Sequence, residues 1–228
     1  MALKERMQWK QTEQKTIREF VQSAFDEVAE NPCPADQLKV FTDRLRRASC
    51  GECVICREGI LQLYTLSDTI TQGIGRDGDI DVLREISADM IIGSGCDYGK
   101  ETGKYAQDIV SKGQEQFEKH IRRKRCDALV CKKFIYYYAA PDKCIGCHQC
   151  ASVCEPHAIA GSEGMIHVVD PAACSRCGAC IAVCKAGAMQ KTGTVMTNLP
   201  SEPVPVGSVQ TASQEGGLMA SKRRRRSE

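Results

Sequence analysis

The residues best suited to chemistry in this chain are its cysteines, 15 among 228 residues. Eight of them form two identical C-x2-C-x2-C-x3-C runs, a spacing typical of proteins that bind two [4Fe–4S] clusters. In such runs the first three thiolates hold one cubane, and the fourth cysteine reaches the other cubane. Predicted cluster A therefore has the ligands Cys144, Cys147, Cys150 and Cys184. Predicted cluster B has the ligands Cys174, Cys177, Cys180 and Cys154.

Structural zinc is the alternative for these two runs. Zinc sites usually come as two C-x2-C pairs with a long spacer that close one tetrahedron, which two identical four-cysteine runs fit poorly. The segment from about Pro141 to Met189 resembles bacterial-type two-cluster ferredoxin domains. It departs from their usual Cys-Pro, with Cys154-Glu-Pro156 in the first run and Cys184-Lys185 in the second. The displaced proline affects the turn that follows the fourth cysteine, whereas the cysteine ligands themselves are unchanged.

A second group of cysteines lies upstream. Cys50, Cys53 and Cys56 form a C-x2-C-x2-C triplet, and a single Cys96 follows after a long gap. A triplet with a distant fourth cysteine is again suited to one cubane, here called cluster C, although the spacing alone leaves zinc open.

The order of these motifs resembles a large redox family. Ser-Cys-Gly-x-Cys-x-x-Cys-Arg-x-Gly, beginning at Ser49 and followed by a helical segment and Cys96, is similar to the iron–sulfur domain of the NADH-oxidising flavoprotein subunit of respiratory complex I. The β subunits of NAD-linked, electron-bifurcating hydrogenases and formate dehydrogenases are similar too, and the resemblance covers roughly residues 36–190. It implies that Cys50, Cys53, Cys56 and Cys96 ligate one [4Fe–4S] cluster. Val54-Ile55 stands where the family often has a proline.

Between the two cysteine regions lies a basic segment that carries His120, Cys126 and Cys131. Three such ligands could form most of a zinc site. Cys33 is a candidate for the fourth ligand, and so is another residue that the sequence does not identify. The alternative is two ordinary cysteines with a solvated histidine, and Cys33 by itself could equally be an inert buried thiol.

The elements that must position these residues are mostly helices. Apolar residues at steps of three and four predict helices over 4–30, 36–48, 57–72 and 80–92. Between the last two helices, we expect Gly73, Gly75 and Gly78 to form a turn rather than a dinucleotide-binding site. We expect an α+β chain: a small all-α bundle around cluster C, then a ferredoxin module with two short hairpins and two short helices. The predicted domains are an N-terminal amphipathic helix (1–35), a helical [4Fe–4S] domain (36–115), a hinge (116–140), the 2[4Fe–4S] domain (141–190) and a disordered, basic-ended tail (191–228).

Composition narrows the class of protein. Aromatic residues are only 5% of the chain, so we expect no large conventional core. A net charge of +2 and the absence of an aromatic platform beside the basic end argue against nucleic-acid binding. No apolar stretch suggests a signal peptide or a membrane span, so we expect a cytoplasmic protein whose thiols stay reduced.

No catalytic residues and no flavin or NADH domain are recognised in the sequence. We therefore expect a non-catalytic electron-transfer subunit with three [4Fe–4S] clusters and a possible zinc ion. The resemblance implies a partner flavoprotein with FMN or FAD and NAD(P)H, other redox subunits, and possibly soluble ferredoxin. The alternatives are a free-standing ferredoxin-like carrier, or a structural or redox-sensing adaptor.

Overall fold

A computed structural model of the chain describes residues 14–196 and 198–209. These residues divide into two compact units, one of residues up to Tyr136 with 191–196, and one of residues 137–190 with those from 198 onward. Within the described part of the chain, no helix has both the length and the apolar character needed to cross a bilayer.

In the described residues, the first unit is a bundle of five helices. They are α1 (Gln14–Asp26), α2 (Pro34–Ala48), α3 (Val54–Thr71), α4 (Asp79–Gly93) and α5 (Asp97–Arg122). The predicted helices over 36–48, 57–72 and 80–92 are confirmed within a few residues at each end. The first helix ends at Asp26, short of the predicted residue 30, and residues 4–13 of that prediction lie outside the described residues.

Two features of this unit differ from the sequence-based expectation. Helix α5 passes through the predicted domain boundary at residue 115, so the predicted hinge begins inside a helix. The bundle also has a continuous apolar core, in which Phe41, Leu63 and Phe117 are fully buried. The few aromatic residues are concentrated in this core and are supplemented by aliphatic side chains, so a low aromatic fraction did not preclude it.

The glycine-rich segment after α3 is a turn between helices, as predicted. Gly73 has φ +79° and Gly78 has φ +96°, a backbone conformation that glycine adopts without strain. The element directly before the segment is helix α3 and not a strand, which removes the context that a dinucleotide-binding loop requires.

The second unit is built from short elements. A 3-10 turn (Lys132–Phe134), which still belongs to the first unit, precedes β1 (Tyr136–Ala139), and β1 pairs with β5 (Met189–Thr192). Helix α6 (Gln149–Ser152) contains Cys150 of the first run, and helix α7 (Ala179–Val183) contains Cys180 of the second. Strand β2 (Ile159–Ala160) pairs antiparallel with β4 (Val168–Val169). The α+β class and the two short helices agree with the prediction.

A third strand pair corrects the prediction of a disordered tail. Strand β3 (Met165–Ile166) pairs antiparallel with β6 (Val204–Pro205), which lies in the segment predicted to be disordered. Lys191 and Thr192 likewise belong to β5. The prediction was wrong here because polar composition does not reveal pairing with a distant strand. Residues 210–228, including the basic run, lie outside the described residues.

Candidate iron–sulfur and metal sites

The cysteines of cluster C meet where the ends of three helices converge. Cys50 follows α2, Cys53 caps the N-terminus of α3, Cys56 lies in its first turn, and Cys96 caps α5. The backbone N–H of Gly95 donates to Cys53 Sγ at 3.3 Å. This hydrogen bond lowers the pKa of Cys53, because it favours the thiolate.

Cys56 is the buried member of this group. Burial, followed by repulsion from the Cys96, Cys53 and Cys50 thiolates, raises its pKa to about 12. The four thiols thus interact electrostatically with one another. Four cysteine thiolates are the ligand set that a [4Fe–4S] cluster requires.

In the second unit, the structure arranges the eight cysteines around two separate small cavities. The lining of one cavity includes Cys144, Cys147, Cys150 and Cys184. The lining of the other includes Cys154, Cys174, Cys177 and Cys180. The fourth cysteine of each run thus lies with the first three of the other run. These are the two groups predicted for clusters A and B, and the cavities are called cavity A and cavity B accordingly.

Both runs adopt the same backbone conformation. Positive φ angles occur at Gly146 and His148 in the first run and at the equivalent Arg176 and Gly178 in the second. Successive left-handed residues turn backbone N–H groups toward a common point, which suits an anionic cluster. At Gly146 an added Cβ would lie 2.7 Å from the backbone of Gly164, so this position has no room for a side chain.

Hydrogen bonds to sulfur and burial distinguish the individual ligands. The Arg176 N–H donates to Cys174 Sγ at 3.4 Å, and the Met189 N–H donates to Cys184 Sγ at the same distance. Burial raises the pKa of both Cys150 and Cys180, the third cysteines of the two runs, to about 11. The thiol chemistry, the cavities and the glycine-dependent turns all fit bound [4Fe–4S] clusters.

Two histidines, His148 and His167, lie close to each other beside cavity A. His167 is 2% exposed, its Nε2 lies 3.1 Å from Nδ1 of His148, and its Nδ1 lies 3.9 Å from Cys144 Sγ. The contact between His148 and His167 joins residues 19 positions apart, and the spacing of the cysteine motifs does not predict it. His157 is exposed.

The four candidate zinc ligands, Cys33, His120, Cys126 and Cys131, form the one group in the described residues whose ligand atoms all lie within 4.8 Å. Cys33 Sγ is 3.3 Å from His120 Nε2 and 3.5 Å from Cys131 Sγ. A tetrahedron with zinc about 2.3 Å from sulfur and about 2.0 Å from nitrogen has edges of roughly 3.5–3.8 Å. The geometry therefore fits a single tetrahedral ion and includes Cys33.

His120 is held in position for ligation. It is 1% exposed, and its Nδ1 lies 2.7 Å from the carbonyl oxygen of Gln116, which can only accept. This hydrogen bond directs Nε2 toward the sulfurs, as is common for metal-bound histidine. Burial alone would lower the pKa of His120, but hydrogen bonds with Cys126 and Cys33 raise it to about 10. The alternative of a solvated histidine is therefore wrong, because the side chain is buried.

Comparison with known proteins agrees with this architecture. Residues 36–120 match the family described as NADH-ubiquinone oxidoreductase-F iron-sulfur binding region, and residues 143–188 match the 4Fe-4S dicluster domain. The two matched segments follow one another along the chain. The predicted resemblance to the iron–sulfur portion of these flavoprotein subunits is confirmed.

Relatives that share parts of this chain belong to several oxidoreductases. The chain is 32% identical to NADP-reducing hydrogenase subunit HndC of Solidesulfovibrio fructosivorans over 60% of its own length and 28% of that relative. It is 29% identical to an NADH-quinone oxidoreductase subunit of Streptomyces coelicolor, over 42% of this chain and 22% of the relative. It is also 32% identical to the NADP(+)-dependent formate dehydrogenase subunit beta of Moorella thermoacetica, over 32% of this chain and 10% of that relative. The chain thus corresponds to less than a third of each relative.

Proposed function

We propose that this chain is an electron-transfer subunit of a multi-subunit oxidoreductase, with three [4Fe–4S] clusters that relay single electrons. The observation that carries this proposal is the grouping of twelve cysteines into three sets of four, in two domains of iron–sulfur families. When bound, such clusters accept and release one electron at a time.

The protein's own residues would hold and tune the clusters. Backbone N–H groups at Gly95, Arg176 and Met189 donate to ligand sulfurs and thereby favour their anionic state. Burial of Cys56, Cys150 and Cys180 limits contact with water at one ligand of each set. Both devices are recognised means of setting a cluster's reduction potential.

The partner in this proposal is a flavoprotein that holds FMN or FAD and exchanges electrons with NAD(P)H. The relatives named above are subunits of an NADP-reducing hydrogenase, an NADH-quinone oxidoreductase and an NADP-dependent formate dehydrogenase, and all three names include a nicotinamide nucleotide. The other end of the relay would be a further redox subunit or soluble ferredoxin. Any electron bifurcation would take place at the partner's flavin, in a cytoplasmic complex where thiols remain reduced.

We further propose a structural zinc ion at Cys33, His120, Cys126 and Cys131. The site would tie the segment before α2 to the C-terminal end of α5 and to the chain that follows it. Its donors are the type that structural zinc prefers, and all four are buried. The ion would stabilise this part of the bundle, because metal bound only by the folded state contributes to folding free energy.

Metal analysis of anaerobically purified protein tests the proposal directly. We expect about twelve iron, about twelve sulfide and about one zinc per chain. About eight iron with more than one zinc would assign the cluster C cysteines to a structural role and contradict the three-cluster relay.

Affinity purification from the native host distinguishes the remaining functions. We expect a flavoprotein to copurify in stoichiometric amount and to reduce the clusters with NAD(P)H. A monomer that exchanges electrons rapidly without any bound partner would support the carrier alternative. Clusters that no physiological reductant reduces would support a structural or sensing adaptor.

A further inference from the structure

Ser94 lies in the loop that leads from α4 to Cys96. Its backbone N–H is bonded to the Met90 carbonyl oxygen at 3.2 Å, which ends α4 and sets the position of the residue. The side chain is 4% exposed, and its hydroxyl has no hydrogen-bond partner among the described residues. A buried hydroxyl without a partner costs free energy, so such a group requires an explanation.

The surroundings of this hydroxyl point to cluster C. A Cβ placed on Gly99 would lie 2.3 Å from Ser94 Oγ and 3.0 Å from the Cβ of Cys56, so the serine and this ligand cysteine approach the same side of Gly99. The absence of a side chain at Gly99 leaves room for Ser94. The adjacent Gly95 N–H already donates to Cys53 Sγ. One short loop therefore contains a backbone N–H that donates to Cys53 and a hydroxyl without a partner on the side of Gly99 that Cys56 also approaches.

We infer that the Ser94 hydroxyl donates a hydrogen bond to a sulfur of cluster C and raises its reduction potential. The inference rests on the proposed function, because it requires an iron–sulfur cluster at these four cysteines. One-electron reduction adds negative charge to the sulfurs, while the serine proton remains on Oγ. A hydrogen bond to an anionic acceptor strengthens as that charge grows, so it stabilises the reduced form more than the oxidised form.

The test is a reduction-potential measurement on the full chain with Ser94→Ala. Redox titration followed by electron paramagnetic resonance reports each cluster separately, and the signal of cluster C is the one that Cys53→Ala removes. We expect the equilibrium constant for reduction of this cluster to fall about tenfold, which lowers its potential by about 59 mV. The potentials of clusters A and B should not change.

Two further variants separate tuning from packing. Ser87→Ala is the matched control, because Ser87 is also fully buried in α4 but donates to the Leu83 carbonyl oxygen in its own helix. It should leave the potential unchanged. Ser94→Thr keeps a hydroxyl and should restore most of the wild-type potential.

An unchanged potential in Ser94→Ala protein that still contains cluster C overturns the inference and leaves the proposed function intact. Equal shifts in the Ala and Thr variants, or loss of the cluster from the Ala variant, overturn it as well, since they assign Ser94 to packing or assembly. Wild-type protein without iron at these cysteines would instead refute the proposed function.

Discussion

At the scale of single residues, chemistry here depends on what surrounds each cysteine. Cys53 accepts a backbone N–H and its pKa falls, whereas Cys56, one helical turn away, is buried among other thiols and its pKa rises. Clustered sulfur ligands repel one another when they ionise, and bound metal relieves that repulsion. Because a metal ligand must be a thiolate, metal binding at Cys56 would displace the proton that its raised pKa retains.

The zinc proposal gives a prediction at this scale. His120→Asn should reduce zinc from about one to near zero per chain and leave iron at about twelve, because it removes one of four ligands and leaves the twelve cluster cysteines unaltered. Elemental analysis by mass spectrometry measures both metals on one sample.

His157→Asn is the matched control, since it also removes an imidazole but at an exposed position outside the group. Asparagine tolerates the positive φ of 50° at this position. Equal zinc content in the wild-type protein and in both variants would refute the site.

At the scale of elements, β6 is the strand that most affects a site. Val204 pairs with Ile166, which is 1% exposed, and both pack in the cluster that contains Cys144. The Val206 N–H donates to the Gly164 carbonyl oxygen and extends the attachment. Gly164 in turn contacts the Gly146 turn in cavity A, so β6 supports the wall of that cavity.

This support can be tested with Val204→Asp. A carboxylate placed against Ile166 would be partly desolvated without a partner, at a cost of roughly 1–3 kcal/mol. We expect cluster A to be lost several times faster in the presence of an iron chelator, followed by the decay of visible absorbance.

Val206→Asp is the comparison variant, because that side chain is 43% exposed and its backbone hydrogen bond is retained. It should lose its clusters at nearly the wild-type rate. If both variants decay at the wild-type rate, β6 does not support cavity A.

At the scale of the whole molecule, the chain consists of two units with separate sets of cysteines. Cys50, Cys53, Cys56 and Cys96 belong to the first unit, together with the candidate zinc ligands, and the eight cysteines of clusters A and B belong to the second. All fifteen cysteines are free thiols, so disulfides do not link the units. Each unit is therefore expected to assemble its own clusters.

Cys53→Ala tests this independence. We expect iron to fall from about twelve to about eight per chain, with the spectroscopic signals of clusters A and B retained. Cys147→Ala is the reciprocal variant and should leave cluster C intact. Loss of all iron in either variant would contradict assembly in two separate units.

Much of this organisation follows from local spacing. The two groups of four cysteines that line cavities A and B could be predicted, because the repeated C-x2-C-x2-C-x3-C spacing is visible in the sequence. The main helices could be predicted from apolar periodicity for the same reason. The tail strand could not, since Val204 and Ile166 pair across 38 positions of sequence with no local signal.

The sequence by itself therefore determined which residues can bind metal and the redox family that the chain resembles. The tertiary structure decided which of them come together. Cys33 joins His120 across 87 positions, and Ser94 and Cys56 approach the same side of Gly99 although they belong to different parts of the chain. Contacts of this kind depend on how helices pack, and the packing is set by the whole apolar core rather than by any motif.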